Sequence, residues 1–166
     1  MTRCYGFRIM LAAFQGILLG SALMTSGPVS GVAADTGVDG AALYRGKCAM
    51  CHGPSGAGRT GNFPPLAGRV GQIARTDAGK AYLAAVLLNG LHGPILANGQ
   101  SYNGFMPAFR MLSDDEIAAV VTYAAGLGTA STGIALSDVA SARAQPMDAA
   151  AIGAKRQALV ASHGLP

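Results

Sequence analysis

The run Cys48-Ala49-Met50-Cys51-His52 constrains this chain more than any other stretch of it. Two thiols three residues apart, followed at once by an imidazole, form the C-x-x-C-H arrangement of covalent haem attachment. Each thiol can add to one vinyl group of a single porphyrin, and the histidine then reaches the iron from one side. Other meanings of C-x-x-C fit poorly. A thioredoxin-like pair sits near a βαβ pattern, and no β-branched run resembling a strand flanks this motif. A structural zinc site needs four ligands, yet no cysteine follows Cys51, and His92 and His163 lie far apart. Cys48, Cys51 and His52 are therefore the candidate cofactor-binding residues, with haem c as the cofactor and His52 as one iron ligand.

The second axial ligand is a choice among methionines and one histidine. Pairing of His with Met is common for haem in cytochromes, and the thioether raises the potential. Met50 lies inside the attachment loop and cannot cross the ring. Met111 falls in the run-up to a helix, where methionine usually packs a core, and Met147 lies near the C-terminus. Met106 sits in Tyr102-Asn103-Gly104-Phe105-Met106-Pro107-Ala108-Phe109, with glycine before and proline after. Glycine permits unusual backbone angles and proline sets the turn beyond, so this loop suits delivery of a thioether. Met106 is the favoured metal ligand. His92, in Gly90-Leu91-His92-Gly93-Pro94, remains the alternative, which would make the site bis-histidine.

The N-terminus accounts for much of the composition. Arg3 and Arg8 precede an apolar stretch from Met10 to Met24, and Val32-Ala33-Ala34 has the small-residue form of a cleavage site. Residues 1–34 thus read as a secretory signal peptide, with an uncleaved anchor as the alternative. Removing the leader lowers the formal charge from +4 to about +2. Two haem propionates then bring it near zero, and no Lys/Arg cluster resembles a phosphate-tracking patch. Nucleic acid is not an expected partner. Haem attachment outside the cytoplasm agrees with an exported, periplasmic protein.

Helical elements are predicted at about Asp39–His52, Lys80–Asn89 and from the capping box Ser113-Asp114-Asp115-Glu116 to Gly126. The Gly/Pro-rich residues 53–79, centred on Phe63-Pro64-Pro65-Leu66-Ala67-Gly68, read as loop, as does the segment from Gly90 to Met106. Three helices and long loops make a poor core alone. A flat prosthetic group wrapped by those loops supplies the missing apolar mass.

The segments C-A-M-C-H at 48–52, F-P-P-L-A-G at 63–68, Y-N-G-F-M-P-A-F at 102–109 and L-S-D-D-E-I at 112–117, in this order, resemble class I cytochrome c. The resemblance covers about residues 38–128. It is nearest to the single-haem domains in cytochrome subunits of periplasmic dehydrogenases, including the quinoprotein alcohol dehydrogenase type. It implies an all-α cytochrome c fold with three main helices and long loops around one covalent haem. It implies thioethers at Cys48 and Cys51, His52 as proximal ligand and Met106 as distal one. The Pro65 carbonyl is expected to accept from the His52 ring N–H, and Gly40 or Gly46 to meet Tyr123 where the first and last helices cross. Tyr102 and Arg69 are candidate propionate partners, although a loop tyrosine and a solvated arginine are the plainer reading.

Residues 129–166 read as a linker and a C-terminal helical tail, with helices near Ser137–Arg143 and from an Asp148 cap to about Ser162. No second C-x-x-C-H occurs, so this is no further haem domain. It is either an appendage on the domain at 35–128 or a docking arm for a dehydrogenase. The resulting expectation is a non-enzymatic, single-haem electron-transfer protein. It would exchange electrons with periplasmic redox partners such as a dehydrogenase, a terminal oxidase or another cytochrome. The haem edge near Gly53, Ala57 and Gly58 would be its port. The alternatives are a haem subunit of a dehydrogenase complex and, less favoured, an open-site haem enzyme.

Overall fold

The computed structural model describes residues 37–128 and 132–164. The leader, its cleavage site and most of the expected linker lie outside the described residues. Among the described residues are seven helices and one two-stranded sheet, in the order α1 (Gly40–Lys47), α2 (Ala49–His52), α3 (Val70–Ile73), α4 (Asp77–Asn89), β1 (Leu91–Ala97), β2 (Gln100–Met106), α5 (Asp114–Gly126), α6 (Leu136–Arg143) and α7 (Ala149–His163). Within that set, no helix is long and apolar enough to cross a membrane.

The helices begin where short polar side chains can satisfy the free N–H groups of a first turn. Asp39 accepts from Ala42 N, Thr76 from Gly79 N and Asp148 from Ala151 N. Ser113 and Glu116 form the reciprocal capping box expected for α5. The Thr76 cap starts α4 at Asp77, three residues before the expected Lys80. The single helix expected over Asp39–His52 is broken at Cys48, which ends α1 and precedes the one-turn α2.

Helices α1 and α5 cross closely, and the glycine at the crossing is Gly40. A Cβ there would lie 2.7 Å from the Ala119 carbonyl carbon and 3.3 Å from Tyr123 Cβ, whereas at Gly46 it would meet nothing within 4 Å. Tyr44, fully buried, lies against Tyr123 at 5.3 Å between ring centroids and donates to the Gly53 carbonyl at 2.8 Å. These contacts fix the end of α1, and so the attachment motif, relative to α5.

The fold matches the one implied by the resemblance, with two additions: the one-turn α3 lies within the expected loop over 53–79, and residues 91–106 are a β-hairpin and not a loop. Leu91 pairs with Met106 and Ala97 with Gln100 in antiparallel register. The turn is Asn98-Gly99, both with positive φ (50° and 74°). Asn-Gly is the preferred pair for a two-residue type I′ turn, whose twist matches that of the strands. That dipeptide was the signal that could have revealed the hairpin.

The tail helices pack on the body. Val139 of α6 and Ile152 and Leu159 of α7 join the same buried cluster as Tyr82, Leu88 and Ile117. Arg143 pins α6 with Nε 2.7 Å from Asp114 Oδ1, and donates to the carbonyls of Arg110 and Leu112.

Candidate haem site

A cavity of about 400 Å³ opens between α2, the 62–66 loop, α4, the hairpin and α5, and most of its lining is apolar. This is within the usual size range of cofactor sites. The attachment motif forms one wall. Cys48 and Cys51 are half-buried with free thiols, and His52 is buried. Burial holds the Cys48 thiol above its ordinary value, and neighbouring Cys51 adds to this while Lys47 opposes it.

His52 Nδ1 lies 2.9 Å from the Pro64 carbonyl oxygen. With Nδ1–H donating to that acceptor, Nε2 keeps its lone pair for a metal. Burial lowers the imidazole pKa, the Pro64 bond opposes this, and the Arg69 charge lowers it further. The acceptor is thus Pro64 and not the expected Pro65. Successive carbonyls along an extended Pro-Pro step point to different sides, and that of Pro65 takes Arg69 Nη1 at 3.1 Å instead.

The opposite wall is the inner face of the hairpin. Side chains alternate between faces along a strand, and three cross-strand pairs, Leu91 with Met106, Gly93 with Gly104 and Ile95 with Tyr102, line the cavity together. Met106, the last residue of β2, therefore faces the same space as His52. Its backbone passes close to Gly90 at the end of α4. A Cβ on Gly90 would sit 2.6 Å from the Met106 carbonyl oxygen, and Gly90 has φ +80°. His92 belongs to the other face: it is exposed, lies against Phe105 with ring centroids 4.5 Å apart and planes tilted by 41°, and does not line the cavity. Met111, expected in the core, is 97% exposed. Met147 packs at the edge of the core cluster, away from the cavity lining.

Two positions depart from the plainer expectation, and a third is not singled out by the sequence. Arg69 and Tyr102, for which solvent and loop positions are the plainer reading, are only 5% exposed and line the cavity. Arg156 of α7, which no local pattern singles out, also lines the cavity and is 6% exposed. Burial lowers the Arg69 pKa to about 10, and the positive charge of Arg156 contributes. The cavity therefore combines an apolar interior, two thiols, an imidazole, a thioether and two buried guanidiniums. That donor set fits an amphiphilic, dicarboxylate macrocycle with a central metal.

This arrangement on this fold is that of a class I c-type cytochrome, a protein with a covalently bound haem c. The family model described as cytochrome c oxidase, cbb3-type, subunit III matches residues 35–123, and the chain belongs to that family. It is 49% identical over 87 residues to cytochrome c-552 of Thermus thermophilus, a match covering 52% of this chain and 66% of that protein. A second cytochrome c-552, from T. thermophilus strain ATCC 27634, aligns at 49% identity over 52% of this chain and 58% of its own length. A protein named thiosulfate dehydrogenase electron acceptor, from Stutzerimonas stutzeri strain A1501, is 37% identical over 87 residues, covering 52% of this chain and 35% of that protein. The matched part spans less than two thirds of each relative. A covalently bound haem c, with its iron, follows from this membership.

Proposed function

We propose that this chain is an exported, six-coordinate electron shuttle. In this reading Cys48 and Cys51 carry the thioethers, His52 is the proximal ligand and Met106 the distal one. The observation that carries it is that Met106 and His52 line one cavity while His92 lies on the opposite face of the hairpin. One-electron exchange at iron is the chemistry the haem supplies when bound. His52, oriented by Pro64, and Met106, held at the strand end, would both hold the iron, which would leave no open position for substrate or oxygen. An open-site enzyme is disfavoured for that reason.

Met50, between the two thiols, is 78% exposed and offers an apolar surface beside the attachment edge. Small, transient contacts of this kind suit turnover between partners. Donors of the dehydrogenase class and acceptors such as a terminal oxidase or another cytochrome, in the periplasm, complete the reading. The name of the Stutzerimonas relative supports the donor class. A fixed haem subunit of a quinoprotein-type dehydrogenase has less support. The tail that would have served as its arm turns Ile152 and Leu159 into its own body.

Met106→Leu tests the ligand assignment. The oxidised holoprotein should lose its thioether-to-iron charge-transfer band, fall in reduction potential and gain CO binding, with haem still attached. An unchanged spectrum would remove Met106 from the iron.

A further inference from the structure

Arg156 is a charged side chain buried at a place where the described residues supply it no ion pair. It lies on α7, and Nη2 donates to the Leu96 carbonyl of β1, 60 residues away in sequence. That is its one hydrogen bond among the described residues, and none of the ion pairs there includes it. A neutral carbonyl does not compensate a buried guanidinium, for which the loss of hydration costs several kcal/mol unless an anion is near. Arg69, 5% exposed, lines the same cavity, and its lowered pKa reflects burial first and the Arg156 charge second. Arg156 thus brings to this cavity a buried cation held only by a neutral carbonyl, and such a cation calls for an anion inside it.

The cofactor has such groups in one place. The carboxylates of haem project from the edge of the macrocycle opposite the vinyl groups, and Cys48 and Cys51 hold the vinyl edge. Arg156 and Tyr102 reach the cavity from α7 and the hairpin, elements that supply no thiol. We propose that Arg156 is a haem-binding residue, that it pairs with the propionate edge alongside Arg69, and that α7 is thereby a clasp whose docking depends on the cofactor. The tail is then more than an appendage. It closes the cavity with a cation, Leu159 and Ile152 anchor it in the core cluster, and its charge tunes the iron through the propionates. This inference rests on the reading of the cavity as the haem pocket.

The test uses the holoprotein with Arg156→Gln, Arg156→Lys and, as a packing control, Leu159→Ala. Removing a positive charge beside the propionates favours Fe(III). Arg156→Gln should therefore shift the oxidised-to-reduced ratio at fixed solution potential about tenfold toward oxidised, a fall of about 59 mV for a one-electron couple. Deuterium uptake in α7 should rise in the same variant. Arg156→Lys should keep most of the potential. Leu159→Ala should loosen α7 with a smaller shift in potential. If Arg156→Gln loosens α7 but leaves the potential unchanged, Arg156 is only a structural link to Leu96 and the proposal fails. Failure of the wild-type chain to attach haem would instead strike the pocket reading itself, and this inference with it.

Discussion

Gly40→Ala is the most direct test of how the attachment motif is positioned. The added methyl group would sit 2.7 Å from the Ala119 carbonyl carbon and 3.3 Å from Tyr123 Cβ. Carbon atoms pack best at about 3.5–4.0 Å, so α1 and α5 must separate by about 1 Å. The obstacle is backbone, which no rotamer change relieves. Overpacking costs about 1–3 kcal/mol, and a backbone obstacle places this substitution near the upper end. For a chain of this size that lowers Tm by about 10 °C. Gly46→Ala, in the same helix, meets nothing within 4 Å. It should gain about 0.5–1 kcal/mol, because alanine loses less conformational freedom than glycine in a helix. The assay is thermal unfolding of both holoproteins, followed by far-UV circular dichroism and by the haem Soret band. Opposite signs from two glycines of one helix are the expected result. A Gly40→Ala protein melting within about 2 °C of wild type, where about 10 °C is expected, would refute the close crossing of α1 and α5.

Tyr44 gives a pH prediction. Its folded pKa is raised from 10.0 to about 12, by burial first. The unfolded chain therefore releases this proton first, so the contribution is full below pH 10 and is lost as pH rises toward about 12. Tyr44→Phe should flatten that alkaline loss in denaturant titrations, and should cost about 1 kcal/mol at neutral pH from the missing bond to Gly53; an equally steep loss would contradict the assignment. Arg143→Met removes the Asp114 pair and two bonds to carbonyls. Because the pair is about a third exposed, the cost should be about 1–2 kcal/mol after screening. Faster limited proteolysis of the tail should report it, and wild-type resistance would show that α6 is held by its apolar contacts alone.

The parts of the site that are legible in the sequence are those whose chemistry is local. Cys48, Cys51 and His52 are near neighbours in the chain, so their spacing carries the cofactor directly. The caps Asp39, Ser113 and Asp148 are readable because a cap bonds to N–H groups two or three residues ahead. The Gly90–Met106 segment reads as loop because its glycines and proline outweigh a weak alternation, although Asn98-Gly99 marks the turn. Arg69 reads as solvated because a lone arginine usually is. Its burial depends on a cavity that no local pattern describes.

The sequence by itself determined the class of this protein: a covalent haem c, an imidazole directly after the attachment cysteines and helices to enclose them. Covalent attachment and capping are short-range chemistry, and short-range chemistry is written in neighbouring residues. Only the tertiary structure decided that Gly40 and not Gly46 meets α5, and that Pro64 and not Pro65 orients His52. It also put Met106 and His92 on opposite faces of one hairpin, and brought Arg156 across 60 residues to the cavity. Those outcomes depend on strand register, helix crossing and the direction of single carbonyl groups. They are set when distant segments compete for the same space around the cofactor.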